Sequence, residues 1–187
     1  MALTPSTMLP LGTVAPDFTL LDTVSGKKLS LKQLKSSIAT VIMFICNHCP
    51  YVKHMQRELA SLAQEYQQKG IAFIAISSND ISSHPDDSPQ HMQEVAKQFA
   101  YPFPYLYDET QEIAKAYQAA CTPDFYIFDE KMECVYRGQY DDSRPNNNIP
   151  VTGKDIRLAL DNILANQPVS TEQKPSIGCN IKWKAAQ

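Results

Sequence analysis

The chain has 187 residues, with 17 basic and 20 acidic side chains and a formal net charge of −3. That length is one ordinary domain, able to bury a core without disulfide or metal staples, and that charge excludes a basic nucleic-acid module. With 43% hydrophobic and 20% charged residues the chain is not a disordered one, and no run nears the ~18 apolar residues of a membrane span. The opening, Met1-Ala2-Leu3-Thr4-Pro5-Ser6-Thr7, has neither the basic nor the apolar region of a secretory signal, so a cytoplasmic protein is expected.

Residues 1–15 read as an N-terminal arm lying over the surface. Residues 17–22 predict a short strand, Gly26-Lys27-Lys28 a turn, and residues 29–34 the start of a short helix. The stretch 39–45 is continuously apolar and rich in β-formers, which predicts a strand buried on both faces, as in a parallel sheet. Val52, Met55, Leu59, Leu62 and Tyr66 then recur at helical steps. Pro50 fits the first turn of that helix and Gly70 its end. Residues 71–77 are the next apolar strand, so the unit is strand–helix–strand with parallel pairing. Residues 80–88 form an acidic loop, and Ser88-Pro89 predicts the N-cap and first position of a helix reaching about residue 99. Asp108 with Gln111, and Thr152 with Asp155, predict capping boxes that open helices to about residues 117 and 165. Residues 125–128 and 134–137 predict an antiparallel hairpin. Residues 141–150 read as a polar loop, and from Pro168 the chain reads as an irregular tail holding Cys179 and Trp183.

The five cysteines sit at 46, 49, 121, 134 and 179. An odd number at uneven spacing argues against a secreted disulfide framework, and in a reducing compartment a close pair points to catalysis or metal binding. Cys46-Asn47-His48-Cys49 falls at the strand-to-helix junction. Thiols at i and i+3 at the start of a helix can close a small disulfide ring, and the helix N-terminus stabilises a thiolate there. On this reading Cys46 is the more exposed thiol and the nucleophile, Cys49 resolves it, and a protonated His48 adds positive charge. A structural zinc site normally needs four ligands, and the sequence holds no second CxxC or HxxxH; no metal or cofactor is assigned. His84 and His91, with Asp80, Asp86 and Asp87, read as a solvated charged loop, and Cys134 as a small buried hydrophobe.

A second feature, Cys121-Thr122-Pro123-Asp124, precedes the strand at 125–128. Together with Ala15-Pro16-Asp17-Phe18, the CxxC after a buried strand, the run 102–108 (Pro-Phe-Pro-Tyr-Leu-Tyr-Asp) and Tyr136-Arg137-Gly138, it makes the chain resemble the thioredoxin-like redoxin family. The resemblance is to the relatives of alkyl hydroperoxide reductase and thiol-specific antioxidant proteins. The run Cys46-Asn47-His48-Cys49-Pro50-Tyr51 and the ending Pro175-Ser176-Ile177-Gly178-Cys179 resemble a bacterial branch of that group. The resemblance implies an α/β thioredoxin-like fold, a central mixed β-sheet flanked by helices. It would span residues 1–166, with 1–15 as N-terminal extension and 167–187 as a C-terminal tail packed on or near the domain. It also implies a cis Pro123 against the CxxC, with the Thr122 backbone pairing to an extended substrate.

The function so implied is thiol–disulfide exchange through Cys46 and Cys49, in cell redox homeostasis. The implied partners are a disulfide-bearing protein or small-molecule thiol substrate and a thiol reductant, with neither nucleic acid nor membrane. The sequence departs from its relatives in three places. Ile45 stands where thioredoxins carry Trp, residues 39–45 offer no acid beneath the pair, and Met43-Phe44-Ile45 lacks the Pro and Thr that precede a peroxidatic cysteine. A thiol-dependent peroxidase, with antioxidant activity, is therefore the alternative; it would oxidise Cys46 and resolve it with Cys49 or Cys179. A metal-binding thioredoxin-like module is the second alternative. Cys121 and Cys179 are the candidates for a further redox thiol. His48 resembles the histidine of strongly oxidising disulfide oxidases, which implies a potential above the about −270 mV of thioredoxin.

Overall fold

A computed structural model describes residues 3–185. Strand β4 (Ala39–Phe44) is buried at all six positions, as its unbroken apolar run predicts. It pairs in parallel with β5 (Ala72–Ser77) and antiparallel with β8 (Asp124–Asp129), with Ile42 opposite both Ile74 and Tyr126. Alternate residues of β4 serve the two faces: Val41 and Met43 enter one core, Ile42 and Phe44 the other.

The parallel step from β4 to β5 needs a crossover, and α2 (Pro50–Gln67) supplies it. Its buried residues, Val52, Met55, Leu59, Leu62, Ala63 and Tyr66, pack on the first face, together with α5 (Lys154–Leu164) and α3 (Pro89–Gln98). Gly70 follows the helix at φ +87°, where an added Cβ would meet Ile38 Cδ1 at 2.8 Å, so both conformation and space call for glycine. The second face is covered by α1 (Leu31–Leu34), α4 (Glu112–Ala116) and the segment carrying Leu9.

The remaining strands of the central sheet are β2 (Thr19–Asp22), β3 (Lys28–Ser30), β6 (Tyr105–Tyr107) and β9 (Cys134–Gly138). The seven strands run β3-β2-β6-β5-β4-β8-β9, a mixed sheet with helices on both sides. The predicted hairpin is β8–β9, antiparallel with an irregularity between Ile127 and Phe128.

Two readings of local sequence are corrected. Gln111 and Gly153, not Asp108 and Thr152, are the N-caps of α4 and α5, and both are left-handed with no side-chain cap bond. Asp108 and Asp141 serve instead from a distance along the chain. Asp108 Oδ2 accepts the Ala114 N–H at 2.9 Å, and Asp141 Oδ2 accepts those of Thr152 and Gly153 at 2.7 Å each.

The termini, expected as a surface arm and an irregular tail, are built into strands. β1 (Leu3–Pro5), β10 (Ile177–Asn180) and β7 (Cys121–Thr122) form a separate three-stranded sheet in the order β1-β10-β7. Cys179 pairs with Leu3 on one side and Thr122 on the other. Among the described residues no helix is long and apolar enough to cross a membrane.

Candidate active site

The chain leaves β4 at Phe44, and the Ile45 N–H still donates to Ile76 O at 3.0 Å. Cys46, Asn47 and His48 then turn the backbone, and Cys49 is the N-cap of α2. Asp87 holds this turn from the loop before α3. Its carboxylate accepts the Asn47 N–H at 2.7 Å, the His48 N–H at 3.2 Å and the Asn79 amide at 2.8 Å. It also meets His48 Nδ1 at 2.5 Å. Burial pushes the Asp87 carboxyl up, but the hydrogen bonds from His48 and Asn79 outweigh it and hold it below its ordinary value. The His48 ring stacks on His84, centroids 4.8 Å apart. Three residues of the predicted charged loop, Asp86, Asp87 and His84, are thus part of the site's frame, with the Asn47 amide donating to Asp86 O.

The thiols sit deeper than the sequence implied. Cys46 and Cys49 are 2% and 0% exposed, so Cys46 is not an open nucleophile. Cys46 Sγ lies 3.3 Å from Thr122 Oγ1, and the Thr122–Pro123 bond is cis. Cys49 Sγ lies 3.2 Å from Thr122 O and 3.0 Å from Cys179 Sγ. Burial raises the Cys46 thiol, and the neighbouring Cys49 and the Asp87 carboxylate raise it further. Cys49 is pulled down to about 5, first by the hydrogen bond from Cys46 and then, against burial, by that from Cys179. Two interacting thiols lose their protons as a unit. The low-pKa position falls on the sulfur at the helix N-terminus, which interacts with the Cys46 and Cys179 thiols, rather than on Cys46. His48 does not add a bare positive charge either, because its partner is Asp87.

The other candidate residues separate clearly. The Cys121 thiol donates to Pro123 O at 3.6 Å, and burial drives it far up, so it is held as a neutral packed thiol. Cys134 is buried and raised to about 11 by that burial. Cys179 comes to Cys49, not Cys46. Thr122 and Pro123 do face the pair, but β10 of this chain already pairs with Thr122, so an extended substrate finds that strand position filled. Donor atoms of Cys46, His48 and Asp87 lie within 4.8 Å of one another, a group that could hold a metal ion.

Sequence reasoning missed Asp124. It lies on β8 opposite Phe44, fully buried, and accepts from Ser6 Oγ at 3.1 Å and Tyr126 Oη at 3.0 Å. Burial raises its carboxyl to about 7, against those hydrogen bonds. Its signal was available in the sequence: an acid between Pro123 and the apolar run 125–128.

A mixed sheet with helices on both faces, a CxxC at the junction of β4 and α2, and a cis proline against it define a thioredoxin-like protein. A putative thioredoxin from Neisseria meningitidis shares the fold at 20% identity and a TM-score of 0.63, over 83% of this chain and 93% of its own. The AhpC/TSA family profile matches residues 11–137, and the chain belongs to that family. An uncharacterized conserved protein from Geobacillus kaustophilus superposes with a TM-score of 0.98 at 61% identity, covering 100% of this chain and 99% of the other. Chloroplastic peroxiredoxin Q from Populus jackii is 26% identical over 152 residues, 76% of this chain. The match spans 66% of that relative's own length.

Proposed function

We propose that the protein is a thiol–disulfide oxidoreductase working through Cys46 and Cys49. The observation that carries this reading is the geometry of the pair: Cys46 and Cys49 bracket the turn into α2, with Cys49 at its N-cap and Cys46 Sγ 3.3 Å from Thr122 Oγ1 beside the cis Thr122–Pro123 bond, and a helix N-terminus stabilises the thiolate, the reactive form. Cys46 attacks a substrate disulfide, and the substrate sulfur that leaves takes up the Cys46 proton. Cys49 then attacks the mixed disulfide, the second substrate sulfur leaves, and the Cys46–Cys49 bond forms. A thiol reductant returns the two electrons. A filled strand position beside Thr122 favours compact disulfides over long extended peptides. The test is dithiothreitol-driven reduction of a small aromatic disulfide. Cys46→Ser and Cys49→Ser should each lose roughly 100-fold or more of the rate; full activity in either variant overturns the reading.

A second reading has its own support, the Thr122 hydroxyl 3.3 Å from Cys46 Sγ and the family shared with a peroxiredoxin. Here Cys46 takes one peroxide oxygen and becomes a sulfenic acid, an alcohol or water leaves, and Cys49 displaces water to form the disulfide. Peroxide-dependent consumption of a thiol reductant, lost in Cys46→Ser, distinguishes it.

A further inference from the structure

The Cys46–Cys49 pair has a third sulfur in contact with it. Cys179 Sγ is 3.0 Å from Cys49 Sγ, while Cys46 Sγ lies 3.3 Å from the Thr122 hydroxyl. The strand that carries Cys179 is held on every side. β1 flanks it on one edge and β7 on the other. Before it, Ser176 Oγ donates to Gly138 O at 2.6 Å. After it, the Lys182 N–H donates to Asn79 Oδ1 and Lys182 O accepts from the Asp80 N–H, both at 2.8 Å. Gly178 lies so close to Thr122 that an added Cβ would fall 2.0 Å from Thr122 O. Backbone this tightly fixed presents one side chain to the pair, and that side chain is a thiol.

We propose that Cys179 is a third redox thiol, which takes the disulfide from the Cys46–Cys49 pair by internal exchange. The Cys179 thiolate attacks Cys49 Sγ; the Cys49–Cys179 bond forms, the Cys46–Cys49 bond breaks, and Cys46 leaves as a thiolate. The proton given up by Cys179 goes to Cys46, and both electrons removed from the protein stay accounted for within the three sulfurs, so no outside oxidant or reductant enters. The exchange rests on the reading of Cys46 and Cys49 as a redox pair.

Reduced, Cys179 shares a hydrogen bond with Cys49, sulfur to sulfur at 3.0 Å. Burial holds its thiol up at about 12, with the Cys49 sulfur adding and Lys182 opposing. Once Cys49 is bonded to Cys46 its negative charge is gone, and with it the charge that opposed ionisation of Cys179. Exchange then stores the oxidised state behind β10 and returns Cys46 as a thiol. A merely structural Cys179 would keep its S–H contact with Cys49 and form no bond.

The experiment uses the full chain. Reduced protein is equilibrated with graded ratios of oxidised to reduced glutathione, acid-quenched, blocked with a maleimide and digested with trypsin. Lys35 and Lys53 bound one peptide that contains both Cys46 and Cys49. The first bond is therefore internal to a peptide, and the second joins two peptides, with the maleimide on Cys46. Expected is the internal bond together with the joined pair in wild type, and complete loss of the joined pair in Cys179→Ser, which keeps the internal bond. An internal bond with no joined pair at any ratio overturns the proposal and leaves the oxidoreductase reading intact. No internal bond in either protein overturns both. Because wild type alone decides the point, a misfolded variant does not rescue the proposal.

Discussion

Asp87 sets the shape of the CxxC turn. One buried carboxylate satisfies two backbone N–H groups, a histidine ring and the Asn79 amide. Asp87→Ala leaves those donors buried without an acceptor, and the desolvation cost of such groups is about 1–3 kcal/mol each in the worst case. Denaturant unfolding should show a loss of at least about 2 kcal/mol, and thiol reactivity should rise as the turn loosens. Nothing in the spacing of Asp87 announced this, because the contact joins two loops far apart in sequence. Cys46 and Cys49 were legible as a pair, but their individual ionisation was not, since it depends on which sulfur accepts hydrogen bonds. Thiolate absorbance of the reduced protein should rise with a midpoint near pH 5, set by Cys49. The step should vanish in Cys49→Ser; a midpoint near the free-thiol value of about 8.5 contradicts the assignment.

Strand β10 is the element that most changes the picture. Four residues carry no periodic signal, and only the partners on either side make them a strand. At Gly178, Thr122 O leaves no room for a side chain. Gly178→Ala must push β10 away from β7, an overpacking that typically costs 1–3 kcal/mol. Thermal unfolding should show the loss, and Cys179, now displaced from Cys49, should become open to alkylation in the folded protein. Unchanged stability and protection would contradict the packing. The caps of α4 and α5 make the same point. A box of Asp108 with Gln111 fits the local pattern, yet Gln111 sends its amide to Ser78 O and Lys182 O instead. The long helix α2 was legible from its helical period, and strands β4 and β5 from their unbroken apolar runs, because each signal extends over enough residues to outvote local accidents.

At the scale of the molecule, Asp124 ties the N-terminal segment to the central sheet through Ser6, and its ionisation enters the global stability. Its folded value, about 7, lies above the unfolded value of about 3.9. Its stabilising contribution is therefore fully present below about pH 4 and is lost as pH rises through 7. Over that window the slope is at most about −1.4 kcal/mol per pH unit. Cys49 works with opposite sign. Its folded value of about 5 lies below the unfolded value of about 8.5, so its contribution is present above 8.5 and lost as pH falls through 5. In the reduced protein the two oppose each other between about pH 5 and 7. Asp124→Asn should leave the rising slope of Cys49 uncovered there. Denaturant unfolding across that range checks it, and an unchanged profile would mean that Asp124 ionises as an ordinary acid.

The sequence by itself determined the class of the molecule. Two apolar runs and the helical period between them marked the β4–α2–β5 unit, and the CxxC at its turn with Thr122-Pro123 ahead of a second strand marked the chemistry, because each of these signals is local. The tertiary structure decided the rest of the site. The contacts of Asp87 with His48, of Asp124 with Ser6 and of Cys179 with Cys49 all join segments distant in the chain. No local pattern encodes such contacts; they exist only once burial has brought the segments together and every buried polar group has had to find a partner.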